Sequence, residues 1–171
     1  MPNKKIEDLI KVLFFYKKYI SPAVRLIVVG NTNTLPKYHL AVQDLAARFY
    51  LTAEDVFFTG HLPAEEFLAV YRLADVFLSM SEHEGFCLPL LESCYFRLPV
   101  LAFDAGAVAE TLDGAGMLFN DKNSALVAGL IEQVLTEEPL RRLLQEKAAA
   151  RIDRYRRQAD PEALLAMLQQ L

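Results

Sequence analysis

Hydrophobic positions along the chain fall into two alternating patterns. Five short runs are almost continuously apolar and rich in β-branched or aromatic residues: Arg25 to Gly30, Asp55 to Gly60, Asp75 to Met80, Pro99 to Phe103 and Gly116 to Phe119. Runs of this length and composition predict buried strands. Between them the apolar residues are spaced for helices. Ile6, Leu9, Ile10, Leu13, Phe14 and Ile20 recur close to helical spacing, as a helix packed on a sheet requires. Further helices are predicted over Tyr38 to Tyr50, Ala64 to Ala74, Leu88 to Phe96, Val108 to Leu112, Ser124 to Thr136 and Pro139 to Gln158, with a last one over Pro161 to Leu171. Apolar strands alternating with helices indicate parallel pairing, because crossovers lay helices on both faces of the sheet. The predicted class is α/β: a Rossmann-like, three-layer domain with a mainly parallel sheet. Ligands of such folds sit at the carboxyl ends of the strands. The residues there are Gly30-Asn-Thr-Asn33, Thr59-Gly-His61, Ser81-Glu-His-Glu-Gly85 and Asp104-Ala-Gly106.

Composition narrows the function. With 171 residues, 53% of them apolar, the chain can bury one substantial core, and residues 1–171 are expected to form a single domain. A formal charge of -4 leaves no broad basic surface, which argues against nucleic-acid binding. Cys87 and Cys94 stand in an apolar stretch with no second pair or His cluster at metal-ligand spacing. That pattern suggests reduced thiols in a cytoplasmic protein and no bound metal. The apolar run from Leu9 to Ile20 is short, carries Lys11, Lys17 and Lys18, and follows Glu7 and Asp8, so it reads as core packing and not as a signal or membrane span. The basic series Arg141, Arg142, Lys147, Arg151, Arg154, Arg156 and Arg157 is interspersed with Glu146 and Asp153. It is read as a solvated helix face in preference to a site for anionic lipid.

The densest chemical signal is Ser81-Glu-His-Glu-Gly-Phe-Cys-Leu-Pro-Leu-Leu-Glu92, running from a strand end through a tight turn into a helix. Gly85 allows close backbone approach and Pro89 suits a first helical turn. Free amides and the positive end of the helix dipole then face whatever lies above the sheet, a good environment for a diphosphate. Glu84 and Glu92 bracket the turn with seven residues between them. Carboxylates repel phosphate but accept hydrogen bonds strongly from sugar and ribose hydroxyls. Together these groups suit a nucleotide sugar. Either glutamate alone would be equally well explained as a helix-start residue compatible with the dipole.

Written as Glu-Gly-Phe-x-x-Pro-Leu-x-Glu after an apolar strand, this string resembles the donor motif of family 4 retaining glycosyltransferases. Val56-Phe-Phe-Thr-Gly60, Leu73-Ala-Asp-Val-Phe77, Leu98-Pro-Val100 and Gly106-Ala-Val-Ala-Glu110 followed by Gly116 are similar to successive landmarks of that family's C-terminal domain, and the resemblance extends to about Glu132. It implies half of a two-domain GT-B architecture, with Glu84 on the donor sugar, Glu92 on the ribose, and the amides of Gly85, Phe86, Cys87 and Leu88 on sugar and phosphates. It also implies a metal-free transfer from a nucleoside-diphosphate sugar to a hydroxyl acceptor.

Lys4, in Pro2-Asn-Lys-Lys-Ile6, resembles the lysine that follows the family's first strand and binds the diphosphate; Lys5 takes the role if the register slips by one. The arginine five positions earlier, and the strand that carries it, have no counterpart in these residues. In the family that strand is central, so a gap, a direct pairing of its neighbours or a borrowed contact is expected. Fixed cations stabilise a leaving group as its charge develops. Gly30, Asn31 and His61 are placed near the diphosphate or base by position, with Thr32 and Asn33 as further polar groups and Glu110 and His83 read as cap and turn residues. Two departures stand out: Arg97 occupies the place of a glycine that ends the helix in many members, and Cys87 replaces another common glycine. The remaining partner is an N-terminal acceptor domain, in cis or as a separate chain; membrane contact is expected only at the surface, at the inner face. The competing readings are a stand-alone nucleotide-sugar-binding subunit and a nucleotide-sugar epimerase.

Overall fold

The computed structural model describes residues 2–31 and 35–158; Thr32, Asn33 and the helix expected over Pro161 to Leu171 lie outside them. A 3-10 turn at Pro2–Lys4 leads into α1 (Ile6–Tyr19), and strands then alternate with helices: β1 (Leu26–Val29), α2 (Pro36–Arg48), β2 (Val56–Gly60), α3 (Ala64–Leu73), β3 (Phe77–Ser79), α4 (Leu88–Tyr95), β4 (Val100–Phe103), α5 (Val108–Leu112), β5 (Met117–Phe119), α6 (Ser124–Thr136) and α7 (Glu138–Gln158). All pairings are parallel. The α/β reading of the hydrophobic pattern holds.

Local chemistry accounts for several boundaries. In α1, Glu7 and Asp8 occupy the first turn and Lys17 and Lys18 the last, each complementing the helix dipole. The α6 start is capped by the Asn123 side chain, which accepts from the amides of Ala125 and Leu126. α2 begins two residues before the apolar pattern suggests, because Pro36 stands in its first turn, where a missing N–H costs nothing.

The strands β3, β4 and β5 form the better-buried sheet. Val100, Leu101 and Ala102 of the central strand are fully enclosed. On one face, Leu9, Val12 and Tyr16 of α1 and Val127, Ile131 and Val134 of α6 pack with Leu101 and Phe119. On the other, Leu90 and Cys94 of α4, Val108 and Leu112 of α5 and Ala148 of α7 pack with Val100 and Ala102. This is the expected three-layer arrangement.

The five strands do not make one sheet. Among the described residues β1 pairs with β2 alone, while β3, β4 and β5 form a second sheet. A cavity of about 940 Å³ separates the β1 and β3 edges, lined by both strands, by Leu9, Val12 and Leu13 of α1, and by Phe67, Val70 and Tyr71 of α3. Of the three outcomes expected where the family's central strand would lie, the described residues show the gap. β3 is expected over Asp75 to Met80 and is strand at Phe77–Ser79, the residues that pair with Val100, Leu101 and Ala102 of β4. α3 has an apolar face, yet none of its residues is fully buried, because that face borders the cavity.

Candidate functional site

The carboxyl end of β3 organises the site. Immediately after it, Ser81 and Glu84 are buried, an uncommon position for a carboxylate without partners. Glu84 has one in Lys4, whose Nζ donates to its Oε1 at 2.5 Å, and the polar side chains of Ser81 and Cys87 also favour its charged form. Burial by itself would raise the Glu84 pKa, but Lys4, Ser81 and Cys87 together outweigh it and hold the carboxyl below its ordinary value. Cys87 responds in the opposite sense. Burial, followed by the nearby Glu84 charge, pushes its thiol up to about 11, so at neutral pH it is an S–H donor and a poor nucleophile.

The backbone fixes this geometry from two directions. The amino-terminal turn is tied to the β3 exit by the Glu82 amide donating to the Asn3 carbonyl at 3.0 Å and by the Asn3 side chain donating to the His83 carbonyl at 3.3 Å. These bonds bring Lys4 to Glu84 and turn Lys5 outward to Glu82 at 2.9 Å. From the far side, Gly106 packs so tightly that a Cβ there would stand 2.4 Å from the Glu84 carbonyl oxygen, and its φ is +59°; only glycine meets both conditions. The Ala107 amide then donates to that same carbonyl at 3.1 Å.

Gly85, Phe86 and Leu88 are exposed between Glu84 and the start of α4. Cys87 is the N-terminal boundary residue of α4 and adopts a left-handed conformation, φ +40°, which turns the chain into the helix. Glu92 lies on α4, where its Oε2 accepts from the Tyr71 hydroxyl of α3 at 2.8 Å. Burial first, and then the Glu92 carboxylate, raise the Tyr71 pKa, so the hydroxyl stays protonated and keeps donating. A carboxylate accepts several hydrogen bonds; the Tyr71 bond orients Glu92 without using up its capacity.

Lys4, Glu84 and Cys87 line one end of the inter-sheet cavity together with Ser81. Gly30, Asn31 and His61 do not line it. They follow β1 and β2, the strands beyond the cavity, and are exposed, with Gly30 donating its amide to the Gly60 carbonyl at 3.2 Å. Tyr71 and Asn3 are not singled out by the sequence. Tyr71 is 21 positions from Glu92, and nothing in local spacing connects them.

Away from this end, the expected solvated face of α7 fails at one residue. Arg141 and Arg142 pair with Glu138, and Arg154 with Asp113, but Arg151 is buried at 6% exposure. Both cysteines are free. Among the described residues, no group of three or more His, Cys, Asp or Glu is placed to hold a metal ion, and no helix is long and apolar enough to cross a membrane.

Parallel β/α units with the Glu-x7-Glu turn at a strand's carboxyl end make a Rossmann-like α/β domain consistent with half of a GT-B architecture. The family model described as glycosyl transferases group 1 matches residues 1–151, and the chain belongs to that family. It is similar to the serotype-specific mannosyltransferase WbdA of Escherichia coli, at 25% identity over 90% of this chain and 19% of that protein. It is also similar to the D-inositol 3-phosphate glycosyltransferase of Corynebacterium jeikeium (strain K411), at 30% identity over 81% of this chain and 32% of that protein. The chain thus spans about a third or less of these curated relatives. Among solved structures, that of Anabaena HepE in complex with UDP and glucose superposes with a TM-score of 0.80 at 20% identity, over 100% of this chain and 46% of that one. The C-terminal domain of a group 1 glycosyl transferase from Francisella tularensis superposes with a TM-score of 0.72 at 23% identity, over 90% and 78% of the two chains. These likenesses establish the shared fold.

Proposed function

We propose that this domain binds a nucleoside-diphosphate sugar as the donor half of a family 4 retaining glycosyltransferase. The observation that carries the reading is the buried Glu84 carboxylate paired with Lys4 beside the turn of residues 85–88, where Gly85, Phe86 and Leu88 are exposed, at the carboxyl end of a parallel sheet. In this assignment Glu84 accepts from donor-sugar hydroxyls, Glu92 accepts from the ribose, and the 85–88 amides and Lys4 face the diphosphate. Gly30, Asn31 and His61 contact the nucleotide from across the cavity. As the bond from the anomeric carbon to the diphosphate breaks and one to the acceptor hydroxyl forms, negative charge grows on the departing diphosphate. Lys4 and the amides stabilise it without a metal, as preorganised donors do best where water is excluded. The relatives named above, a mannosyltransferase and a D-inositol 3-phosphate glycosyltransferase, support this class of reaction.

The complete transferase in this account also uses an N-terminal domain that carries the acceptor, and works in the cytoplasm with at most surface contact to a membrane. Holding acceptor beside donor contributes roughly 7–11 kcal/mol to such reactions, so the 171-residue chain alone binds donor and transfers little. A stand-alone donor-binding subunit working with a separate acceptor chain is the second reading. Calorimetry with uridine, guanosine and adenosine diphosphates, followed by release assays with candidate acceptors, tests both. One nucleotide should bind, Lys4→Gln should weaken it about tenfold or more, and release should not depend on acceptor. No binding at millimolar concentration would remove the donor site; robust acceptor-dependent release would show a complete enzyme.

A further inference from the structure

Four residues form a closed circuit around Phe86. The Thr111 hydroxyl of α5 donates to the Phe86 carbonyl at 3.1 Å. The Arg151 Nε of α7 donates to the Thr111 carbonyl at 2.8 Å, the Arg151 guanidinium lies 5.7 Å from the Tyr155 ring centre, and the Tyr155 ring lies 5.9 Å from the Phe86 ring. The circuit therefore holds Phe86 by its backbone and by its side chain at once. α5 meets the same turn one step earlier, where the Ala107 amide donates to the Glu84 carbonyl. Behind α5, the Arg154 guanidinium donates to the Asp113 carboxylate at 2.9 Å and to the Asp113 carbonyl at 3.0 Å. Two arginines one turn apart on α7 thus grip the carboxyl end of α5, where a cation is favoured by the helix dipole.

This arrangement is costly for a purely structural contact. Arg151 and Thr111 are 6% and 3% exposed, and the buried Arg151 Nη1 has no hydrogen-bond partner among the described residues. A buried cation with an unmet donor destabilises the fold relative to an apolar residue of similar volume. Phe86 itself is 52% exposed, so the circuit does not serve to bury it. What it does is immobilise an exposed turn.

We infer that Thr111, Arg151 and Tyr155 are positioning residues that hold the backbone amides of residues 85–88 in place for the diphosphate of a donor. The inference rests on the donor-site reading above and adds to it the α5–α7 splint. Amides aimed in advance bind an anion without the cost of ordering the loop, whereas a loose turn would lose that advantage with no contact to ligand having changed.

The test compares Thr111→Val, Thr111→Ser, Arg151→Met and Tyr155→Leu in the full chain. The readouts are amide hydrogen exchange at residues 85–88, the affinity for whichever of uridine, guanosine or adenosine diphosphate the unaltered chain binds, and the thermal midpoint. Thr111→Val and Arg151→Met should speed exchange at 85–88 and weaken nucleotide binding about tenfold, and Thr111→Ser should restore both. Arg151→Met should do so without lowering the midpoint, which separates positioning from folding; Tyr155→Leu, at the outer end of the circuit, should act in the same direction on exchange. Unchanged exchange and affinity in Thr111→Val and Arg151→Met, with nucleotide still bound by the unaltered chain, would overturn the splint alone. No nucleotide binding by the unaltered chain would overturn the donor reading and this role for the splint with it.

Discussion

Glu84 is the residue on which most of the local structure converges. Its carboxyl is held below the ordinary value by Lys4, Ser81 and Cys87 against the opposing effect of burial. A group with a depressed folded pKa contributes stability that is fully present above its unfolded pKa, about 4.3 for glutamate, and loses it as pH falls through the lower folded value. Glu84→Gln should therefore remove part of the acid sensitivity: urea unfolding at pH 7 and near pH 3 should show a smaller difference for the variant. An equal acid loss in both proteins would mean that the Lys4–Glu84 pair contributes nothing to stability. Glu84 and Glu92 stand out in the sequence because their spacing is local, whereas Lys4 is proposed from the resemblance alone. The partners of the two glutamates do not stand out: Lys4 and Glu84 are 80 positions apart, Tyr71 and Glu92 are brought together by packing of α3 on α4, and Gly106 reads as a loop glycine until the Glu84 carbonyl is seen beside it.

At the scale of elements, α4 explains a departure visible in the sequence. Arg97, in the place of a helix-ending glycine, has φ +55°. Its amide donates to the Cys94 carbonyl and that of Leu98 to the Ser93 carbonyl, the Schellman pattern. The left-handed conformation is thus kept with an unfavourable residue. That conformation costs roughly 1–2 kcal/mol outside glycine, while the greater freedom of glycine in the unfolded chain offsets about 0.4–1 kcal/mol. Arg97→Gly should stabilise the domain by about 0.5–1 kcal/mol in chemical denaturation. Cys87→Gly, at φ +40°, should gain less, because it also loses packing and the thiol beside Glu84. A larger gain at Cys87 than at Arg97 would contradict this account. Helix and strand types were readable from periodicity, and boundaries moved by a residue or two where capping or strand pairing decided them. The failure at Arg151 came from reading charge along α7 without knowing that α4 would pack along it and that the Thr111 carbonyl at the end of α5 would accept from the Arg151 guanidinium.

For the molecule as a whole, the open feature is the division of the sheet. The hydrophobic pattern predicts five strands correctly but says nothing of which neighbours pair, since strand order depends on contacts distant in sequence. The β1 and β3 edges both border the cavity, and Asn3 is already hydrogen-bonded beside the exit of β3. An extended, β-branched segment joined ahead of Pro2 should add a strand between them, since neighbouring strands need only about 4.8 Å of separation. It should also bury the apolar face of α3. Such an extension should raise the thermal midpoint by several degrees and slow amide exchange in β1 and β3, and a proline-interrupted control of the same length should not. Equal midpoints for the two would show that the cavity does not accept a strand.

Whether two carboxylates read one donor at two points is decided by calorimetry of Glu84→Gln and Glu92→Gln against a nucleoside diphosphate and its sugar conjugate. A hydrogen bond to a charged acceptor contributes about 1.5–3 kcal/mol, which is within reach of the method. Glu92→Gln should weaken the bare diphosphate and the conjugate alike, while Glu84→Gln should leave the bare diphosphate nearly unchanged and abolish the additional affinity contributed by the sugar. Equal losses from both variants on both ligands would contradict the assignment of Glu84 to the sugar and Glu92 to the ribose.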